Sequence, residues 1–374
     1  MKVFQVLPSG AMDDIVREDA VALSKLLRDM GMQTGIYTDR PDHMQSKWGV
    51  RPMRALPRLS GEDVLIYHKC PDMVLRHDLQ QYTCRKLLRF HGCIPPRDWK
   101  PYHPVRADEA EQSMRELCVL ADEMDYCITD TAFQKTVLET LHYRGKMASC
   151  PPFMTFSEYT KTPAPEVITR YAEDGVQNFL SVGTLAPYQK AEDVIRIFAC
   201  YQRNCSTQTR LFLMGDMNTA RSYVKRLQRY VQGLELASQV VFTGSVSTEE
   251  QLAYFQLADF CVDMSEHTGF SPSLIQAMYF GVPILASDTP EHRDVMGDGG
   301  LLTTTAKETQ FPMEAALLMY RILQERNLYR EVVAEQRRRQ QDFSYHTLRK
   351  QMETLLRDFL ETVPAKSKRL HTRR

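Results

Sequence analysis

Short apolar runs alternate with longer stretches of helical periodicity along most of this chain. The opening VFQVLP, Val3 to Pro8, reads as a buried strand, and Gly10 follows in a loop. From Glu18 to Met30, the apolar positions Ala22, Leu23, Leu26 and Leu27 return on one side of a helix. TGIYTD, Thr34 to Asp39, is the next strand, which completes the strand–helix–strand unit of a parallel sheet. Asp63 to His68, Lys86 to Gly92 and Asp125 to Asp130 predict further strands, and Thr131 to Leu141 a helix after the last of them.

The segment from Cys150 to Glu166 is polar and carries Pro151, Pro152, Pro163 and Pro165, the composition of a linker. Beyond it the alternation resumes. Strands are expected at Phe179–Thr184, Arg210–Gly215, Val240–Gly244, Asp259–Ser265, Pro283–Asp288 and Gly300–Thr303. Helices are expected at Ala191–Arg203, Ala220–Gly233, Thr248–Leu257 and Ser271–Tyr279. Strands apolar on both faces need helices on both sides of the sheet. The pattern therefore predicts two doubly wound Rossmann-like α/β domains, residues 1–156 and 176–342, joined by a linker at 157–175. Their strand carboxyl ends are expected to face a cleft. An amphipathic helix from Thr347 to Val363 is expected to return to the first domain (segment 343–365), ahead of a basic tail at 366–374.

Charge narrows the functional classes. Lys plus Arg and Asp plus Glu both number 47, so no global field favours nucleic acid. The nine cysteines are odd in number, scattered and without a C-x-x-C, which suits a reducing cytoplasm. No signal region opens the chain, and no apolar run is long enough to span a membrane. The tail residues Lys366, Lys368, Arg369, Arg373 and Arg374 read either as a frayed end or as a peripheral contact with anionic lipid. G-x-G-x-x-G after the first strand, the P-loop, H-E-x-x-H and G-x-S-x-G are all absent. With no Asp-x-Asp pair and ten dispersed histidines, no metal framework is legible.

The segment SEHTGFSPSLIQAM, Ser265 to Met278, followed by GVPILASD, resembles the donor-site region of family 4 glycosyltransferases, which are retaining enzymes of GT-B fold. FTGSVSTEEQLAYFQLADF and FLSVGTLAPYQKAEDVIRIFA resemble the strands and turns that precede that site. FHGCIPPRDWKPY and VLPSGAMDDIVREDAVAL are similar to first-domain segments of one subgroup. The resemblance implies a nucleotide-sugar donor, a glycan or lipid-linked acceptor in a glycan pathway, and no metal cofactor. It places the donor-sugar histidine on His91, the N-terminal loop on Gly10, and the diphosphate-binding turn on Gly269 and Phe270. Helix N-termini and basic side chains would stabilise the leaving diphosphate.

Four donor positions depart from the family pattern. The two glutamates fall on Thr268 and Gln276, and the diphosphate-binding arginine and lysine fall on Thr184 and Gln189. Lys190, one residue along, and Arg17, where the subgroup has glycine, are the candidate replacement cations. Two readings stay open: a glycosyltransferase with a rearranged donor site, or a catalytically silent GT-B protein acting as partner or scaffold. A third, an epimerase of the same fold, expects clustered acid/base residues that the sequence does not locate.

Overall fold

Every strand pairing in the computed structural model is parallel. The structure describes all residues except 9–13, 40, 42–47, 72, 75–77, 173–174, 268, 305–309 and 367–374. Gly10, Thr268 and the tail beyond Lys366 therefore lie outside the described residues.

The first unit contains β1 (Lys2–Leu7), α1 (Asp14–Asp29), β2 (Gln33–Thr38), β3 (Arg51–Pro52), β4 (Val64–Lys69) and β5 (Arg85–Phe90). After α2 (Pro96–Trp99), most of which groups with the second unit, and α3 (Pro104–Glu123) come β6 (Tyr126–Thr129), α4 (Phe133–Thr140) and β7 (Lys146–Ser149). The sheet order is β3-β2-β1-β4-β5-β6-β7. Because successive strand residues point to opposite faces, each strand feeds two cores. Phe4, Leu65, Tyr67 and Leu88 pack with Leu117, Leu120 and Ala121 of α3 on one face. Val3, Val64, Ile66 and Leu87 pack on the other.

The second unit contains α5 (Pro165–Tyr171), β8 (Gln177–Val182), α6 (Ala191–Asn204), β9 (Thr209–Met214), α7 (Arg221–Gly233), β10 (Val240–Gly244), α8 (Thr248–Leu257) and β11 (Phe260–Asp263). It continues with α9 (Pro272–Phe280), β12 (Ile284–Ser287), α10 (Pro290–Met296), β13 (Leu301–Thr303), α11 (Phe311–Gln324) and α12 (Arg326–Gln341). Its sheet order is β10-β9-β8-β11-β12-β13. A capping box starts α8, with Ser247 and Glu250 satisfying each other's backbone N–H groups. The last helix, α13 (Tyr345–Thr362), belongs to the first unit. Its Leu348, Met352, Leu356 and Phe359 complete the second face of that sheet.

Two segments differ from the expected boundaries. Residues 97–107 group with the second unit rather than the first. Trp99 stands edge-on to Tyr188 at 5.5 Å and Tyr102 to Tyr223 at 5.1 Å, so aromatic contacts outweigh sequence position. The expected linker at 157–175 is also part of that unit. Phe156 stacks on Tyr279, and Ala164 N–H donates to the Glu249 carbonyl at 2.9 Å. Proline in this stretch starts α5 at its first turn instead of keeping the chain open.

Candidate functional site

Each sheet order reverses once, between β1 and β4 in the first unit and between β8 and β11 in the second. Loops leaving such a strand pair diverge to opposite faces, and the crevice between them is the usual ligand position in an open α/β sheet. Thr184, Gln189 and Lys190 follow β8, Gly269 and Phe270 follow β11, and Gln276 lies in α9. The fold thus brings these residues of the second unit to its switch point.

The loop after β8 is shaped by glycine. Gly215, at φ +150°, lies so close to the Gly183 carbonyl that a Cβ there would collide with backbone. Gln189 lays its amide over Gly183, and Pro187–Gln189 form a single 3-10 turn. Lys190 then adopts left-handed geometry (φ 50°, ψ 41°), a conformation that strains a side-chain-bearing residue. Its ammonium lies 3.1 Å from Glu266, which joins the two loops. Burial would lower the Lys190 pKa, but Glu266 more than offsets this and holds it above the usual lysine value. Gly269 has φ +71°, the region where glycine is at no disadvantage. Phe270 is buried, and the Gln276 Oε1 accepts a hydrogen bond from Gln251 at 2.9 Å.

Two carboxylates here escaped the sequence reading. Glu266 pairs with Lys190, and Asp98, carried over with residues 97–107, stands 3.8 Å from His267. The Asp98 Oδ2 is buried without a hydrogen-bond partner. Burial pushes the Asp98 carboxyl up, with His267 and Arg97 opposing, and burial also pushes His267 down. Acidic groups therefore stand beside Lys190 and His267, although both family glutamate positions hold other residues. Only the packing of Trp99 and Tyr102 reveals Asp98 here, because it is distant in sequence from the second-unit motifs.

In the first unit, His91 directly follows β5 and is almost wholly buried. Its Nδ1 meets Asp130 at 3.0 Å and its Nε2 meets His68 Nδ1 at 2.9 Å. Arg89 binds Asp19 through Nε at 2.9 Å and Asp130 through a second nitrogen at 2.9 Å. Burial alone would raise the Asp19 carboxyl, but Arg89 and the histidines reverse this and hold it below its ordinary value. The histidines are dispersed in sequence but not in the fold. The fold gathers ligating atoms of Asp19, His68 and His91 within 4.8 Å of one another. The Asp19 carboxylate is already paired with Arg89, and the two rings share a hydrogen bond, so these ligating atoms are engaged in an internal polar network. Arg17 sits within α1, its guanidinium 5.0 Å over the Trp48 ring, rather than in a loop.

Residues 170–339, nearly all of the second unit, match the sequence model of the family described as Glycosyl transferases group 1. The structure of HepE from Anabaena with UDP and glucose superposes at a TM-score of 0.72, with 15% identity, over 96% of this chain and 100% of that one. Sucrose-phosphate synthase from Thermosynechococcus elongatus superposes at 0.71, with 17% identity, over 96% and 100%. The chain has the GT-B fold and resembles the group 1 glycosyl transferases. The alpha-monoglucosyldiacylglycerol synthase of Streptococcus pneumoniae is 24% identical over 126 residues, 34% of this chain but only 27% of that relative. The group 1 match contains both loops at the β8/β11 switch point, while Arg17 and His91 lie outside it. No helix among the described residues is long and apolar enough to cross a membrane.

Proposed function

We propose that this protein is a glycosyltransferase that moves a hexosyl group from a nucleotide-diphosphate sugar to a glycan or lipid-linked acceptor. The observation that carries the reading is the meeting of two loops at the β8/β11 switch point, within the group 1 match and tied by Lys190 and Glu266. The donor diphosphate lies against the turn at Gly269 and the N-terminus of α9, where unpaired N–H groups favour an anion. Carboxylates from Asp98 and Glu266 take over hydroxyl recognition from the two missing glutamates. The reaction retains anomeric configuration and uses protein cations rather than a metal. HepE is described with UDP-glucose, which makes that sugar nucleotide the first probe. The pneumococcal relative is a glucosyldiacylglycerol synthase by name, which supports lipid extracts as the acceptor panel. All nine cysteines are free, in keeping with action in the cytoplasm.

Calorimetric titration with UDP, GDP and their sugars tests the reading, followed by nucleotide release with and without acceptor extract. Saturable binding of one nucleotide and acceptor-dependent release are expected. Absence of binding to the whole panel overturns the proposal.

Lys190→Gly removes the ammonium without the strain an alanine would keep at φ 50°. Stability in urea should hold or rise by up to about 1 kcal/mol. Affinity for the bound nucleotide should fall, and the loss should shrink at high salt. Unchanged affinity would remove Lys190 from the donor site.

A further inference from the structure

One line of hydrogen bonds crosses four adjacent strands of the first unit. Gln5 of β1 meets His68 of β4 (Oε1 to Nε2, 2.8 Å), His68 meets His91 after β5 (2.9 Å), and His91 meets Asp130 after β6 (3.0 Å). The direction of the first link is set. Gln5 donates its NH2 to the Ala20 carbonyl at 2.9 Å and to Ser24 Oγ at 2.7 Å, so its oxygen accepts from His68 Nε2–H. At the other end Asp130 accepts from His91 Nδ1–H. Two neutral imidazoles have then used both of their protons. The remaining contact, His68 Nδ1 to His91 Nε2, would set two lone pairs against each other. Three hydrogen bonds need three protons, one more than two neutral rings hold.

Charge balance reaches the same count. Asp19 and Asp130 are both buried, and besides the two histidines the cation that pairs with them among the described residues is Arg89. One guanidinium and two carboxylates leave a net negative charge inside the unit, which is strongly disfavoured. A proton shared by the histidine pair brings the sum to zero. Asp19 Oδ2 lies 4.0 Å from both His68 Nδ1 and His91 Nε2, beside that proton. Other titratable groups do not alter the balance. Burial pushes the Cys150 thiol up to about 12 and raises Cys127 as well, so both stay neutral. Lys69, next to His68, is spoken for by Glu116 at 3.0 Å. His91 faces the Asp130 carboxylate while His68 faces the neutral Gln5 oxygen, which assigns the extra proton to His91.

We infer that His68, Gln5 and Asp130 are positioning residues that hold His91 as a doubly protonated imidazolium, a fixed positive charge at the carboxyl end of β5 that is not a general acid or base. Both N–H groups are committed, so the ring neither gives nor takes a proton during turnover.

Nitrogen-15 NMR of the whole protein, histidine-labelled, tests this at pH 7.5. Two protonated nitrogens on His91 and one on His68 are expected, with His91→Asn and His68→Gln used for assignment. Two neutral rings, a protonated Asp130 carboxyl, or stoichiometric zinc uptake that displaces the signals would overturn the inference. A second readout is the pH profile of amide protection in β5 and β6 by hydrogen exchange. The natural protein and His68→Gln, whose amide can accept from His91 and donate to Gln5, should keep equal protection from pH 6 to pH 8. His68→Phe removes the acceptor of the second His91 proton, so its protection should fall as pH rises over that range. Equal flat profiles in all three overturn the positioning role.

Discussion

Replacing Arg89 with methionine will destabilise the first unit by about 3–5 kcal/mol, because two buried carboxylates lose their shared cation. Arg89 and Asp19 are both 0% exposed, so no solvent screens the loss. Hydrogen exchange resolved by unit is the suitable measurement, since one melting curve of a two-unit chain need not be two-state. The β5 and β6 amides should lose protection while those of β8 to β13 keep it. Arg89→Lys should fall between, as an ammonium cannot reach both carboxylates in the same fork. The pH dependence has a definite sign. The Asp19 pKa is lowered in the folded state from 3.8, so its contribution is complete above that value and is lost as pH falls through the folded value. In Arg89→Met the buried Asp19 has lost that partner and protonates more readily. The gap between variant and natural protein should therefore narrow on acidification. A gap that widens, or a loss under about 1 kcal/mol, would show that Asp19 and Asp130 are neutralised by something other than Arg89.

Restoring the family residues together, Thr184→Arg, Gln189→Lys, Thr268→Glu and Gln276→Glu, will raise nucleotide affinity by at least about thirtyfold, since even one buried ion pair is worth about 2 kcal/mol or more. The four changes are coupled and their effects need not add. Glutamate at 276 gives up the hydrogen bond from Gln251, and lysine at 189 displaces the amide that lies over Gly183. Gln276→Glu alone should therefore change affinity only modestly. Titration with UDP, GDP and their sugars reads the outcome. Unchanged affinity in the four-fold variant would place the diphosphate away from the β8 loop.

Much of this architecture was legible from pattern alone. VFQVLP, RLFLMG and PILASD are short apolar runs bounded by turn residues, and they became β1, β9 and β12. The periodic segments around Leu23–Leu27 and Leu348–Phe359 became α1 and α13, since a sheet buried on both faces needs apolar helices to cover it. Elements that rest on few apolar contacts escaped. Strand β7, KMAS, lies at the sheet edge, where one neighbour suffices, and β3 has only two residues. Helix α12 is rich in arginine and glutamine. It is held partly by polar contacts, with the buried Gln336 donating to the Val282 carbonyl at 2.7 Å and Arg339 to the Val295 carbonyl at 2.9 Å.

For the site, the sequence by itself determined which residues occupy the two loops of the second unit. Gly269 and the segments around it carry that information locally. Tertiary structure decided what those residues can do. It ties Lys190 to Glu266 and brings Asp98 to His267. It also turns Gln5, Asp19, His68, Arg89, His91 and Asp130 into one buried network. Apolar burial follows the identity of each residue, so it shows as periodicity along the chain. A buried charge is tolerated only when its partners arrive from other strands. That condition is set by strand order across the sheet, which no spacing along the sequence records.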